Sequence, residues 1–242
     1  MNVQLEGNVT LITGASRGIG RAIALRFAQA GATTVLAART ISDLQAAAAL
    51  IQQSASETVV IPTDVTNDQQ LETLVQVVLE RFGHIDILVN NAGGGTPRTP
   101  VVKAQRRDWE WTLRVNLWAT MSLSRLVLPT MIERRKGTIV NISSLAGFSG
   151  KAGESAYAAA KFGVRGFSQS LFEEVREYGI KVCTVCPGYV DTTLIPPNRR
   201  IDRHKMISPD DVAEAVYSVA MASPRVCPIE IILQPQHDPL RT

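Results

Sequence analysis

The sequence lacks the features that mark several classes of protein. Its 242 residues carry a net charge of only +3, and the basic residues are scattered among acids, which argues against nucleic acid as the main partner. No uncharged apolar run is long enough to span a bilayer, so no membrane partner is expected. Residues 1–7 show no basic region followed by an apolar stretch, so no secretion signal is expected either.

Cysteine is scarce as well. The chain has three cysteines, which cannot form an even disulfide framework. Cys183 and Cys186 have C-x-x-C spacing, but they fall in a predicted strand, where residues three apart point to opposite faces. They therefore do not resemble a redox pair at a helix start. Two buried structural cysteines are expected, in a protein of the reducing cytoplasm.

Glycine is absent from the end of the chain. All 17 glycines lie at or before Gly188, whereas seven of the 12 prolines lie at or beyond Pro196. Turns in this tail are therefore predicted to depend on proline rather than on glycine with positive φ. The polar and basic stretch at residues 198–205 is predicted to be either a solvated loop or a mobile flap over the substrate.

Strand-like and helix-like segments alternate along the whole chain. This pattern is typical of a parallel sheet covered by helices on both faces. Because no repeat, linker or low-complexity tract interrupts it, residues 1–242 are predicted to form a single α/β domain. A long helix is expected over residues 107–135, and Ser42 is expected to cap a helix over residues 43–53. The predicted strands lie at residues 8–13, 33–38, 58–61, 86–90, 138–143, 180–186 and 229–233.

The stretch from Ser144 to Lys161 contains the residues of an acid–base site. Tyr157 and Lys161 are four residues apart, so on a helix they would lie one turn apart on the same face. Ser144 would stand at the carboxyl end of a buried strand. A cation near a phenol favours its ionised form, so Tyr157 could exchange a proton with an alcohol or carbonyl oxygen near neutral pH. Alone, this pair is weak evidence, because such spacing is common on helices.

Three glycines follow the first predicted strand and open the first helix. The spacing Gly14-x-x-x-Gly18-x-Gly20 would let the backbone approach a pyrophosphate at the helix N-terminus. A simple strand-to-helix turn does not require three glycines in seven residues. The cluster therefore predicts a dinucleotide cofactor.

These motifs together resemble the short-chain dehydrogenase/reductase family, and by general similarity its 3-oxoacyl-[acyl-carrier-protein] reductase-like members. The resemblance runs from about Val9 to Thr193. It implies a Rossmann fold with a doubly wound parallel seven-stranded sheet that binds NAD or NADP. The motifs that carry it are T-G-A-S-R-G-I-G at residues 13–20, N-N-A-G at 90–93, Asn116, Ser144, Tyr157-x-x-x-Lys161 and Pro187-Gly188.

The resemblance also implies roles for individual residues. Tyr157 is the implied general acid/base, and Lys161 the residue that lowers its pKa and holds the nicotinamide ribose. Ser144 is the implied hydroxyl that binds the substrate oxygen, with Ser143 as the neighbouring candidate. Asn116 would support a water-mediated proton path, besides bending its helix. The implied cofactor-binding residues, besides Tyr157 and Lys161, are Gly14, Ser16, Arg17, Gly18, Ile19, Gly20, Asp64, Val65, Asn90, Ala92, Gly93, Pro187, Gly188 and Thr192.

The end of the second strand predicts which cofactor is bound. In folds that prefer NAD, an acid near this point binds the ribose hydroxyls. Here the strand ends at Arg39, with no acid before Asp43. Arg39 could pair with the 2′-phosphate of NADP, and Arg17 could approach the same phosphate. NADP(H) is therefore the predicted cofactor, without a metal. Asp64 has a second reading, because an aspartate after a strand could cap the next helix.

The predicted activity is hydride transfer between NADP(H) and a carbonyl compound or secondary alcohol, with a β-keto thioester as the first candidate. The basic run at residues 134–136 could meet an acidic carrier or favour the helix dipole. A catalytically silent NADP-binding regulator is the alternative, which would not need the whole acid–base set.

Assembly is predicted only from the resemblance, which implies a homodimer or homotetramer through the helices near residues 109–135 and 156–178. Trp109, Trp111, Trp118 and Phe172 would add apolar surface there. The glycine pair that many family members carry after the last strand is absent, which puts the C-terminal subunit contacts in doubt.

Overall fold

A computed structural model describes residues 4–51, 56–195 and 200–240. The strands are β1 (Val9–Thr13), β2 (Thr33–Ala38), β3 (Thr58–Pro62), β4 (Ile87–Asn90), β5 (Gly137–Ile142), β6 (Ile180–Pro187) and β7 (Glu230–Leu233). The α-helices are α1 (Gly18–Gln29), α2 (Ile41–Ile51), α3 (Asp68–Phe82), α4 (Arg106–Leu113), α5 (Ala119–Arg134), α6 (Ser155–Val175) and α7 (Pro209–Met221).

The strands form one parallel sheet in the order β3-β2-β1-β4-β5-β6-β7. The order reverses between β1 and β4, which therefore separate the two halves of the sheet. In doubly wound sheets ligands bind at such a point, outside the carboxyl ends of the strands. The predicted Rossmann architecture with seven parallel strands is confirmed.

Helices cover both faces of the sheet, as expected. One apolar core packs α1, α2 and α7 against one face and contains Ile12 and Leu36. The other packs α3, α5 and α6 against the opposite face and contains Leu11 and Val35. Adjacent strand residues thus enter different cores, because side chains alternate along a strand.

The cysteines of β6 are buried, as predicted. Cys183 lies in the core that α1, α2 and α7 cover, and Cys186 is equally inaccessible. Burial raises the pKa of the Cys183 thiol far above its ordinary range and that of Cys186 to about 11. Both therefore remain protonated thiols, and Cys227 is also free of any disulfide.

Several predicted boundaries need correction. Ser42 does not cap α2, because the helix already begins at Ile41; its expected end at residues 52–53 lies outside the described residues. The long helix predicted over residues 107–135 is α4 and α5 joined by a π-helical turn, Arg114–Trp118. Asp64 does not cap α3 either, since Asn67 accepts the capping hydrogen bond from the Gln70 backbone.

The polar stretch at residues 198–205 is described only from residue 200 onward. Its second half is held in place, because Arg203–Lys205 form a 3-10 turn and Ile201 makes an antiparallel bridge with Leu240. Within the described ranges, no helix is both long and apolar enough to cross a membrane.

Candidate active site

A cleft of about 540 Å³ lies at the carboxyl ends of the strands, where the order of the sheet reverses. Nearly all of the predicted site residues line it. The predicted residues at the cleft are Gly14, Ser16, Arg17, Gly18, Ile19, Arg39, Asp64, Val65, Ala92, Gly93, Asn116, Ser144, Tyr157, Lys161, Pro187, Gly188 and Thr192.

The glycine loop after β1 is shaped to receive an anion. Gly14 and Gly18 have φ values of +64° and +54°, which side chains disfavour. Arg17 is the N-cap of α1, and its side chain makes no capping hydrogen bond. The first N–H groups of the helix therefore remain available for a phosphate.

Gly20 has a different role from the one predicted. It does not line the cleft. A Cβ on this residue would lie 2.3 Å from the Gly14 carbonyl oxygen and 2.5 Å from Nδ2 of Asn91. Glycine is required here because α1 packs directly against the loop.

Thr13 and Asn91 lock this loop to the end of β4, although the sequence assigned neither a role. The Thr13 hydroxyl accepts hydrogen bonds from the N–H groups of Asn91 and Ala92, at 3.1 and 3.0 Å. The Asn91 amide donates to the carbonyl oxygens of Thr13 and Gly14, at 2.8 and 3.2 Å. Both residues stand inside the quoted motifs, and that position was the available signal.

Asn90 points away from the cleft, contrary to expectation. Its buried amide nitrogen donates to Oδ1 of Asn141 at 2.8 Å and to Oγ of Ser124 at 3.2 Å. The side chain thus joins β4 to β5 and to α5. A polar group buried at this depth needs such partners, which fixes its direction.

Arg17 and Arg39 both line the cleft, and both are exposed. Asp43, four residues beyond Arg39 in the first turn of α2, lines the cleft as well. Deeper in the cleft, the Asp64 carboxylate accepts hydrogen bonds from the backbone and hydroxyl of Thr66 at 2.9 and 2.8 Å.

The two candidate serines differ in the hydrogen bonds that their hydroxyl groups make. The Ser143 hydroxyl is buried and donates to the Lys161 carbonyl oxygen at 3.0 Å. Ser144 lines the cleft beside the Tyr157 phenol and accepts from the Ala146 N–H at 3.1 Å. The geometry therefore favours Ser144 as the hydroxyl that meets a substrate.

The pKa of the Tyr157 phenol depends mainly on its burial. Desolvation raises its pKa above the ordinary value, the neighbouring Ser144 hydroxyl lowers it, and the charge of Glu154 raises it further. The Nζ of Lys161 lies 5.6 Å from the centre of the Tyr157 ring. The lowering of the Tyr157 pKa by Lys161, which the resemblance implies, stays a prediction.

Lys161 is buried below the same cleft. Its ammonium donates a hydrogen bond to the Ile142 carbonyl oxygen at 2.9 Å, and burial lowers its pKa to about 8. A Cβ placed on Gly93 would lie 2.8 Å from Oδ1 of Asn116 and 3.6 Å from Nζ of Lys161. The fold thus brings Lys161 and Asn116 together around the glycine.

Asn116 sits within the π-helical turn. Its amide donates to the carbonyl oxygens of Gly94 and Thr112 at 2.6 and 2.8 Å, and its Oδ1 accepts from the Gly94 N–H at 3.2 Å. The wide turn thus allows one side chain to fasten α4 to the loop after β4. Such turns are frequent at functional sites.

A sequence model of the family described as short chain dehydrogenase matches residues 8–202. This chain belongs to that family. An uncharacterized oxidoreductase of Staphylococcus aureus (strain USA300) is 35% identical over 231 residues, which are 96% of this chain and 98% of the relative. The 3-oxoacyl-[acyl-carrier-protein] reductase of Vibrio cholerae is 38% identical over 192 residues, covering 79% of this chain and 77% of that protein.

Solved structures agree with the family assignment. A metagenomic short-chain oxidoreductase in complex with NADP is similar with a TM-score of 0.86 and 34% identity, covering 97% of this chain and all of that one. An alcohol dehydrogenase from the archaeon Thermococcus sibiricus, complexed with 5-hydroxy-NADP, has a TM-score of 0.87 at 26% identity, covering 96% of this chain and 97% of that one.

The dehydrogenase has a second cavity, of about 910 Å³, that joins the first. Apolar side chains such as Trp109, Leu145 and Phe148 line it. The second cavity meets the first beside Tyr157 and Ser144. The residues that line both cavities are Gly95, Ser144, Tyr157, Gly188, Leu194 and Ile195.

The loop after β6 closes the junction. The Gly188 N–H donates to the Leu233 carbonyl oxygen at 2.8 Å, which fixes this loop to β7. The Thr192 methyl group lies 3.1 Å from the position of a Cβ on Gly18. The dehydrogenase thus brings the predicted cofactor-binding residues Pro187, Gly188 and Thr192 across to the glycine loop.

Proposed function

We propose that this dehydrogenase transfers a hydride between NADP(H) and a carbonyl compound or secondary alcohol. A 3-oxoacyl thioester is the first candidate substrate. The observation that carries the proposal is the position of Tyr157 and Ser144 where the two cavities meet. One cavity has the shape and the cations for a dinucleotide, and the other is large and mainly apolar.

The residues of the first cavity fit NADP. The glycine loop and the open N-terminus of α1 suit the pyrophosphate, while Arg17 and Arg39 suit a 2′-phosphate. Two solved relatives hold NADP or a hydroxylated NADP. Lys161 would hold the nicotinamide ribose, as the family resemblance implies. The bound cofactor would supply the hydride in reduction and accept it in oxidation.

The protein residues would handle the proton. In reduction, the Tyr157 phenol donates its proton to the substrate oxygen, and the Ser144 hydroxyl donates a hydrogen bond to the same atom. In oxidation the Tyr157 phenolate accepts the alcohol proton. Asn116 would connect the phenol to solvent through water, as the family resemblance implies.

The substrate class is supported by the second cavity and by the reductase of Vibrio cholerae, which acts on 3-oxoacyl groups by its name. The basic run at residues 134–136 adds no support. Arg134 and Lys136 lie 3.1 and 3.3 Å from the carboxylate of Asp86, and Arg135 donates to the Glu177 carbonyl oxygen. These contacts are structural, and within this subunit they lie at the amino edge of the sheet.

A substrate screen tests the activity. Short ketones, 3-oxoacyl thioesters and secondary alcohols are incubated with the full chain while NADPH absorbance is followed. Tyr157→Phe removes only one hydroxyl, so turnover should fall about 100-fold or more while NADPH binding survives. Near-normal turnover by this variant would refute the mechanism. Tight NADPH binding without turnover on any substrate would instead support the alternative, a catalytically silent NADP-binding regulator.

A second titration tests the cofactor. Wild-type protein should bind NADPH at least about 100-fold more tightly than NADH, because each charge-assisted contact contributes about 1.5–3 kcal/mol. Arg39→Asp should weaken NADPH binding and spare NADH. Asp43→Asn is the matched control, because Asp43 lines the same cleft, and it should leave NADPH binding equal or tighter. Equal wild-type affinities for the two cofactors would refute the assignment.

We also propose a homodimer or homotetramer. Trp118 and Phe162 are exposed, on the π-helical turn and on α6, which would leave apolar surface in water in a monomer. Trp109 and Trp111, also predicted to add to this surface, instead line the two cavities. Phe172, predicted to add to this surface, instead packs partly buried against the core. Light scattering that finds only a 26.3 kDa species at micromolar concentration would refute the assembly.

A cytoplasmic location and one domain over residues 1–242 remain proposals. The three cysteines are free thiols, and two of them are buried in the core. Such thiols suit a reducing compartment, where they stay unpaired.

A further inference from the structure

We propose that the C-terminal segment, residues 234–240, is a wall of the substrate cavity and that Leu240 selects carbonyl substrates with long apolar chains. This inference rests on the proposed function. It concerns the second cavity, of about 910 Å³, which Gln234 and Leu240 both line.

The segment starts beside the reactive groups. The Leu233 carbonyl oxygen accepts the N–H of Gly188, a residue that lines both cavities. Pro235 follows at once, and its Cδ lies 3.0 Å from the position of a Cβ on Gly188. The chain therefore leaves β7 in contact with the junction where Tyr157 stands.

The far end of the segment is fastened to the loop that follows β6. Ile201 and Leu240 form an antiparallel bridge, and the Asp202 N–H donates to the Pro239 carbonyl oxygen at 2.8 Å. The Asp238 carboxylate accepts from the Leu240 N–H at 2.9 Å, which shapes the last turn. Because both ends are held, the segment is a fixed wall.

Arg203 extends this attachment to the mouth of the first cavity. Its guanidinium donates to the carbonyl oxygens of Thr192 and Ile195, at 3.0 and 3.1 Å, and pairs with Asp191. The stretch at residues 200–203 is thus bound on one side to residues 191–195 and on the other to the C-terminal segment.

The chemistry of this wall is apolar. Leu194 and Leu240 are 59% and 44% exposed, and both face the second cavity together with Ile195 and Ile201. Leucine side chains offer a substrate no hydrogen bond, so they discriminate by the apolar surface they cover. Each substrate methylene buried against them would contribute roughly three- to fourfold in affinity.

Two cations that line the same cavity have partners there. Arg98 pairs with Glu154 at 2.5 Å, and the Lys151 ammonium lies 3.1 Å from the Tyr189 hydroxyl. Contacts with the apolar chain of a substrate therefore fall to the leucines and isoleucines.

Leu240→Ala in the full chain tests the inference with 3-oxoacyl thioesters of four to ten acyl carbons and a matched series of 2-alkanones. We expect kcat/KM to fall by a factor that grows with chain length and reaches roughly tenfold for the longest substrates. Leu50→Ala is the matched control, because Leu50 is similarly exposed, at 50%, but lines neither cavity. It should leave the chain-length profile unchanged.

Leu194→Ala provides a second variant in the lining of the same cavity, and its loss of kcat/KM should likewise grow with chain length. A profile parallel to wild type in both variants would overturn the inference, even if the enzyme reduces every substrate. If wild-type protein reduces no member of either series, the proposed function has failed instead, and the two failures are thus distinct.

Discussion

Two buried charges lie at opposite ends of the same sheet, and their surroundings differ. Asp86 precedes β4 at the amino edge, where its carboxylate accepts the Val9 N–H at 2.9 Å. His84, Arg134 and Lys136 each have a nitrogen within 3.3 Å of it. This buried charge is fully partnered, and it joins β1, β4 and the end of α5.

Lys161 is equally buried at the carboxyl edge, but a neutral carbonyl oxygen is its hydrogen-bond partner. In the part of the chain that the structure describes, no carboxylate forms an ion pair with it. Burial accordingly lowers its pKa to about 8.

This difference predicts that the two buried charges have different effects on stability and on activity. A buried charge without a counter-charge costs stability, because desolvation is not offset by an opposite charge. Such groups with shifted pKa values cluster at functional sites. At the amino edge of the sheet the buried Asp86 carboxylate has cationic partners. At the carboxyl edge the buried Lys161 ammonium, beside Tyr157, has no carboxylate partner among the described residues.

The largest expected effect comes from removing the unpaired cation. Lys161→Met keeps the side-chain volume but loses the charge, so kcat should fall at least about 100-fold and cofactor binding should weaken. Steady-state kinetics and an NADPH titration measure both. Unchanged kcat would show that the cation at the carboxyl edge has no part in the chemistry.

Lys161→Met should also show how much the buried ammonium lowers the free energy of unfolding. The folded pKa of Lys161, about 8, lies below its unfolded value of 10.5, so the folded state binds fewer protons between these pH values. Wild-type stability should therefore rise relative to Lys161→Met by about 3 kcal/mol from pH 8 to pH 10.5. Urea unfolding across this range measures it. A constant difference between the two proteins would contradict the comparison.

At the amino edge, Asp86→Asn should lower the stability of the protein and leave its turnover nearly unchanged. The free energy of unfolding should fall by about 2 kcal/mol, less than for a wholly buried pair because Arg134 and Lys136 reach solvent. The kcat should stay within about twofold of wild type. Glu57→Gln, which breaks an exposed pair with Arg81, is the control and should cost under about 1 kcal/mol. A large loss of kcat with normal stability would abolish the distinction between the edges.

The smallest expected effect concerns Glu154, whose charge raises the Tyr157 pKa. Glu154→Gln should lower that pKa, so the loss of reductase activity at high pH should begin at a lower pH. Arg98 pairs with Glu154, and Lys161 is the other charge near the phenol. Arg98→Gln is the opposite control, because it leaves Glu154 unpaired. If neither variant shifts the pH profile, the charge of Glu154 does not affect the Tyr157 pKa.

Local patterns predicted much of the site. The spacing of Tyr157 and Lys161 on one helix and of the glycines after β1 follows from helix and turn geometry, which depends only on neighbouring residues. The same holds for the inaccessible Cys183 and Cys186 on their strand. Boundaries such as the false cap at Ser42 were harder, because several polar residues near a helix start can serve as its cap.

Other features had no local signal. Asn90 and Asn91 are adjacent asparagines, yet one amide joins β4 to β5 and the other locks the glycine loop. The serines at 143 and 144 are likewise adjacent; the spacing to Tyr157 favoured Ser144, and packing against α6 engages the Ser143 hydroxyl with the Lys161 carbonyl oxygen. Strand alternation sends neighbours in opposite directions, but which face meets the cleft depends on distant elements.

The sequence by itself determined the alternating α/β order, the family and the acid–base set, because these depend on short-range periodicity and on motif spacing. Tertiary structure alone decided that Asp86 is paired while Lys161 is not, and that Leu240 lines the cavity that Tyr157 opens onto. The physical reason is that charge pairing and cavity walls are made by residues far apart in the chain. Their contacts exist only after the sheet has formed and its helices have packed.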